Sequence, residues 1–192
     1  MVEAKILQGE KRNYIVHPVR FNLWLFLVTV TMLFMAFTSA YIVRRAEGNW
    51  LYFDLPILFA VTTGIIVFAS VLLQAAVYAA RKNELAWLKI LLWGTTLFGL
   101  AFVTGQFLAW QDLVANKIFV SGNVAGTFLY IISGLHAIHV VGGIVVLGAT
   151  LYSTYHYKVH SKEMLRISLC TTYWHFMTIL WVYLYIFLLL FR

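Results

Sequence analysis

Cysteine, proline and carboxylates are all scarce in this chain of 192 residues. Cys170 is the single cysteine, which excludes an internal disulfide, a CxxC redox motif and a thiolate metal cluster. Charged residues make up only 11% of the chain, against roughly a quarter in a soluble domain. The composition is that of an integral membrane protein. The seven carboxylates are Glu3, Glu10, Glu47, Asp54, Glu84, Asp112 and Glu163, and all fall in tails, loops or the ends of apolar runs. A proton relay or cation carrier commonly places an acid at mid-membrane, so their positions count against translocation through the core of this chain. There is no Gly-rich phosphate loop, zinc-protease signature or nucleophile elbow. The first twenty residues, MVEAKILQGEKRNYIVHPVR, are too polar for a signal peptide and precede no small-residue cleavage site. The first apolar run is therefore expected to stay as a membrane helix. The net charge of +7 comes from basic residues scattered over short loops, so no nucleic-acid partner is expected.

What the chain has instead is hydrophobic length. It is 62% hydrophobic with a mean hydropathy of +0.86. Five runs exceed the roughly 18 residues that mark a spanning helix. The expected fold is an all-α polytopic bundle with a tail at 1–20 and spans at about 21–43, 55–80, 85–110, 124–155 and 167–191. Leu55-Pro56 opens the second span, where proline is tolerated at a helix start. Lys5, Lys11, Arg12, Arg20, Arg81, Lys82, Lys89, Lys158, Lys162 and Arg166 fall on one side of this topology. Only Arg44, Arg45, Lys117 and Arg192 fall on the other, which predicts a cytoplasmic N-terminus. Short connections predict that consecutive helices are antiparallel neighbours.

Polar residues inside the spans recur at helical spacing. Thr63, Ser70 and Gln74 share a face of the second span; Thr95, Gly99, Gln106 and Trp110 share one of the third. Thr171, His175, Thr178 and Tyr185 do so in the fifth. Such groups are expected to hydrogen-bond between helices, because hydrocarbon offers them nothing else. Ala36-xxx-Ala40 and Ala75-xxx-Ala79 have the spacing of close helix contacts. The sharpest signals are three intramembrane histidines. His136 and His139 lie three apart in FLYIISGLHAIHVVGGIVVL and so share a side, with Gly142 and Gly143 about a turn later. His175 follows in Tyr173-Trp174-His175-Phe176. Three roles fit these imidazoles. They could tie helices together, they could ligate haem (His139 and His175 being the pair from different helices), or they could form a zinc or copper site. At 1.5 Å per residue, His139 and His175 lie roughly 20 and 12 Å from the same membrane face, not obviously matched for a haem.

The same residues resemble subunit III of the haem–copper terminal oxidases. Ser133-Gly134-Leu135-His136-Ala137-Ile138-His139-Val140-Val141-Gly142 is similar to the family helix TGFHGLHVxxG. Tyr173-Trp174-His175-Phe176, with Trp181 five residues on, resembles YWHFVDVVW. Gln106 and Trp110 match the ends of QxxEW, and Tyr41, Arg44 and Leu55-Pro56 stand where the family has them. The likeness covers about Phe21 to Phe191 and corresponds to the short, five-helix form. It implies a subunit with no haem or copper of its own, those groups lying in partner chains. It also implies subunits I and II as partners, phospholipid held in an inter-helix cleft, and a bacterial plasma (inner) membrane location. The complex would reduce O₂ to water; the electron donor, cytochrome c or quinol, and membership of a respiratory supercomplex stay open. By family analogy the cleft would separate spans one and two from spans three to five. Gln106, Trp110, His136, His139, Trp174 and His175 would hold the larger bundle together, and Arg44, Arg45 and Trp24 are candidates for lipid contact. The runner-up is a membrane cytochrome b using His139 and His175.

Three departures from the family pattern go together. Val30, Ala109 and Thr178 stand where the family commonly has carboxylates. Their joint loss predicts a subunit that serves assembly, lipid retention and shielding of subunit I rather than proton transfer.

Overall fold

The computed structural model describes residues 18–48, 50–156 and 161–191, and every expectation placed on 1–17, on Lys158 or on Arg192 lies outside that set. The described residues form five helices, α1 (Pro18–Ala46), α2 (Ile57–Arg81), α3 (Leu85–Ala115), α4 (Val124–His156) and α5 (Ser161–Phe191). All are long and apolar enough to cross a membrane. This is a multi-pass membrane protein.

Helices α3 and α5 run further than the apolar runs suggested. Beyond Trp110, α3 makes another turn that buries Leu113 completely. At the other end, α5 begins at Ser161, in polar sequence that a hydropathy reading does not count. A hydropathy run marks what lies in hydrocarbon, whereas a helix continues into the headgroup layer for as long as its backbone stays bonded.

Helices α2 and α3 form a tight antiparallel hairpin. Its turn places Asn83 at φ 58°, with the Glu84 amide donating to the Ala79 carbonyl at 3.0 Å. Asparagine visits the left-handed region more readily than most residues, so it closes α2 at small cost. Lys117, which follows α3 at φ 63°, has no such excuse. Lys117→Gly should stabilise the fold by up to about 1 kcal/mol, read as a higher midpoint in denaturant titration; a lower midpoint would contradict the strained geometry.

The packing closes a ring. Helix α2 lies against α3 and α5, and α4 lies against α3 and α5, so α2 to α5 make a four-helix bundle. Helix α1 seats outside it, against α4 and α5. Two expectations fail here. Among the described residues α1 and α2 do not pack on one another, although they are consecutive. The division into spans one and two facing spans three to five is also not observed, because α2 is part of the larger bundle. The physical reason is in α1, whose buried stripe of Leu27, Val30, Phe34, Thr38 and Tyr41 fits α4 and α5. Tyr41 donates to the Phe191 carbonyl at 3.3 Å and Tyr183 to the Thr38 hydroxyl at 3.3 Å. The chain from 47 to 56 is long enough to carry the backbone across, at about 3.3 Å per extended residue. Ala36 and Ala40 are both exposed, not buried in a helix pair among the described residues.

Candidate functional site

The centre of the bundle is an aromatic and imidazole cluster to which each helix of the ring contributes a side chain. Trp181 of α5, fully buried, stacks on Phe59 of α2 at 6.2 Å between ring centroids. It meets Phe102 of α3 edge-on at 5.3 Å and His136 of α4 at 4.7 Å. Its indole N–H donates to Thr63 Oγ1 at 3.0 Å. One residue away, Gln106 Nε2 donates to Thr62 Oγ1 at 2.8 Å, joining α3 to α2. Trp110 Nε1 donates to Ser133 Oγ at 3.0 Å, joining α3 to α4. In hydrocarbon each such bond is worth about 1 kcal/mol, and leaving either partner alone costs more.

The three histidines occupy three different settings. His136 has no exposed surface, and its Nε2–H donates to the Met177 carbonyl at 3.1 Å. Its Nδ1 has no hydrogen-bond partner among the described residues. The carbonyl can only accept, so the ring carries its proton on Nε2. His139 turns its Nδ1–H back to the Leu135 carbonyl of its own helix at 2.7 Å, while its backbone carbonyl accepts from Tyr173 Oη at 2.8 Å. Both rings lie against Phe34 of α1, with centroids 6.4 and 5.8 Å away. His175 faces the opposite way, toward α2, with Nδ1 2.5 Å from Ser70 Oγ and Nε2 2.9 Å from Gln74 Oε1.

This arrangement does not suit the haem reading. A porphyrin between His139 and His175 needs both rings turned toward one gap, yet one faces α1 and the other has both nitrogens spent on α2. Among the described residues no cluster of three or more histidine, cysteine or carboxylate side chains could hold a metal ion.

The other residues singled out in the sequence are distributed as follows. Trp174, 2% exposed, lies between Gly99 of α3 and Gly143 of α4, so those two glycines make room for its indole. Gly142 stays exposed. Arg44 is ion-paired with Glu47 at the surface, a contact worth little. Arg45 sits 5.8 Å above the rings of both Tyr52 and Phe191. Trp24 is 60% exposed and lies twenty residues, about 30 Å, down the same helix from Arg44. The three lipid candidates therefore do not converge on one site. Val30, Ala109 and Thr178 are all buried, at 3%, 0% and 6% exposure, so a carboxylate at any of them would need a partner among the packed helices.

Comparison with known proteins follows the same residues. The family model for cytochrome c oxidase subunit III matches residues 51–192. The chain belongs to this family. A probable cytochrome c oxidase subunit 3 from Nocardia farcinica is 30% identical over 164 residues, 80% of this chain and 78% of that one. The subunit 3 of Corynebacterium diphtheriae is 26% identical over 169 residues, 84% and 82% of the two chains. That of Synechocystis is 26% identical over 197 residues, 93% and 78%. The subunit III match thus takes in all of α2 to α5, and with them both histidine motifs.

Sequence reasoning missed Thr62 and the central role of Phe59 and Phe102. Thr62 and Thr63 are adjacent and identical, so nothing in the pattern assigns one to Gln106 and the other to Trp181. An all-round apolar helix likewise gives no sign of which phenylalanine faces inward.

Proposed function

We propose that this chain is the non-catalytic subunit III of a haem–copper terminal oxidase that reduces O₂ to water, and that it stabilises the catalytic subunit I. The observation that carries the reading is the subunit III match over 51–192, in which the intramembrane imidazoles are engaged with protein groups. Haem and copper belong to the partner subunits I and II on this reading, and the chain sits in a bacterial plasma membrane with its N-terminus in the cytoplasm. The exposed apolar flank of α1, running from Trp24 to Arg44 and Arg45, is where it meets phospholipid. Proton handling is left to its partners, since Val30, Ala109 and Thr178 supply no carboxylate among the packed helices.

Purification of the tagged chain in mild detergent should bring down oxidase chains carrying haem and copper, identified by mass spectrometry and an optical spectrum. The chain purified alone should show no Soret band; a haem band retained by it would overturn the assignment in favour of a cytochrome. Within the complex, Ala109→Glu and Val30→Glu should not raise proton uptake per O₂ consumed. A requirement for either acid would contradict a purely supporting role.

A further inference from the structure

A groove of about 380 Å³ runs between α2 and α5, lined by Ser70, Val71, Gln74, Ala75, Tyr78 and His175. Its walls are mostly aliphatic and aromatic, but its floor is the Ser70–His175–Gln74 cluster. Whichever tautomer and amide orientation is chosen, these side chains carry more donor hydrogens than their two mutual contacts consume. At least one amide hydrogen of Gln74 is left pointing for an acceptor.

Depth decides what that acceptor is. Gln74 lies five residues from the middle of the 25-residue α2, so with that helix centred on the bilayer it stands about 7.5 Å from the midplane at 1.5 Å per residue. The hydrocarbon layer extends about 15 Å from that centre. Bulk water and lipid ester oxygens lie beyond it, and an unmet amide there costs several kcal/mol. A neighbouring protein helix can bring an acceptor to this level. The groove also has the shape for one. Ser70, Gln74 and Tyr78 form one i, i+4 ridge and Val71 with Ala75 the next, the ridge pattern on which helices pack. The small side chains Ser70 and Ala75 permit close approach. The volume takes side chains of a crossing helix but not the helix itself, which is about 10 Å wide.

We infer that the α2–α5 groove is the seat of a membrane-spanning helix from another chain of the oxidase, carrying a hydroxyl, carbonyl or amide acceptor at the level of Gln74. The inference rests on the subunit reading above and names where the partner docks. Val71 is 59% exposed on the groove, so it can be changed without disturbing the bundle. Val71→p-benzoylphenylalanine, irradiated in native membranes, should yield an adduct joining this chain to another oxidase chain. Adducts with lipid or quinone only, with a second copy of this chain, or none at all would overturn the groove assignment. An adduct with the helix of a non-oxidase chain would keep the groove as a helix seat and overturn the subunit reading instead. Gln74→Leu and Val71→Trp should each lower the recovery of partner chains by about tenfold, equivalent to 1.4 kcal/mol. Unchanged recovery with Val71→Trp, which leaves the hydrogen-bonded cluster intact, would equally overturn it.

Discussion

Replacing Trp181 with alanine should destabilise the chain by about 3–5 kcal/mol, the range for emptying a large aromatic site in a packed core. The indole is fully buried and lies against Phe59, Phe102 and His136, one ring from each of the other helices in the four-membered ring. Water does not reward burial inside a bilayer, so the loss is one of dispersion contacts, each small and together large. Trp181→Phe should cost only about 1 kcal/mol. It keeps most of the volume and removes the N–H donated to Thr63, whose own hydroxyl still donates to the Phe59 carbonyl at 2.7 Å. Unfolding followed by steric trapping or denaturant titration in a mild detergent measures both. Equal costs for the two substitutions would mean that the ring is not the packing centre.

Gly99→Leu should be the second most damaging change, and by the opposite route. Even a Cβ at this position would stand 2.7 Å from Trp174 Cη2 and 3.3 Å from Ile144 Cγ1. The indole has little room to retreat, because its other edge lies along Gly143 of α4 and the side chain is only 2% exposed. Overpacking of this kind costs about 1–3 kcal/mol, and the larger leucine should push α3 and α4 apart and reach or exceed the upper figure. Gly64→Ala is the control, since nothing lies within 4 Å of its Cβ position. It should be neutral or stabilising by about 0.5–1 kcal/mol from the gain in helix propensity. Trp174→Phe should partly rescue Gly99→Ala in a double-mutant cycle, because it removes the atoms that clash. Additive losses would show that Gly99 and Trp174 do not meet.

Much of this architecture could be read from residue order. Five runs of apolar residues longer than a bilayer is thick admit few alternatives to five spanning helices. The placement of Glu47, Asp54, Glu84, Asp112 and Glu163 at helix ends or between helices was equally plain. So was the expectation that polar stripes bond between helices, and Gln106, Trp110 and His175 do so. Thr95, Thr171 and Thr178 instead return their hydroxyls to their own helices, to the carbonyls of Leu91, Ile167 and Trp174. A threonine in a helix always has that nearby acceptor, and spacing does not say which option it takes.

Helix number, the unfavourable exposure of polar groups to lipid and the list of side chains needing partners all follow from composition and order, because hydrocarbon imposes them on any sequence that enters it. Which partners those side chains meet was settled by shape. The seat of α1 on α4 and α5 rather than on α2, the turn of His175 away from His139, and the choice between Thr62 and Thr63 depend on how particular surfaces interlock. In a bilayer every helix face is apolar enough for every other, so hydrophobicity cannot select among pairings. Close packing around Trp181 and Trp174, and a few directed hydrogen bonds, make that selection.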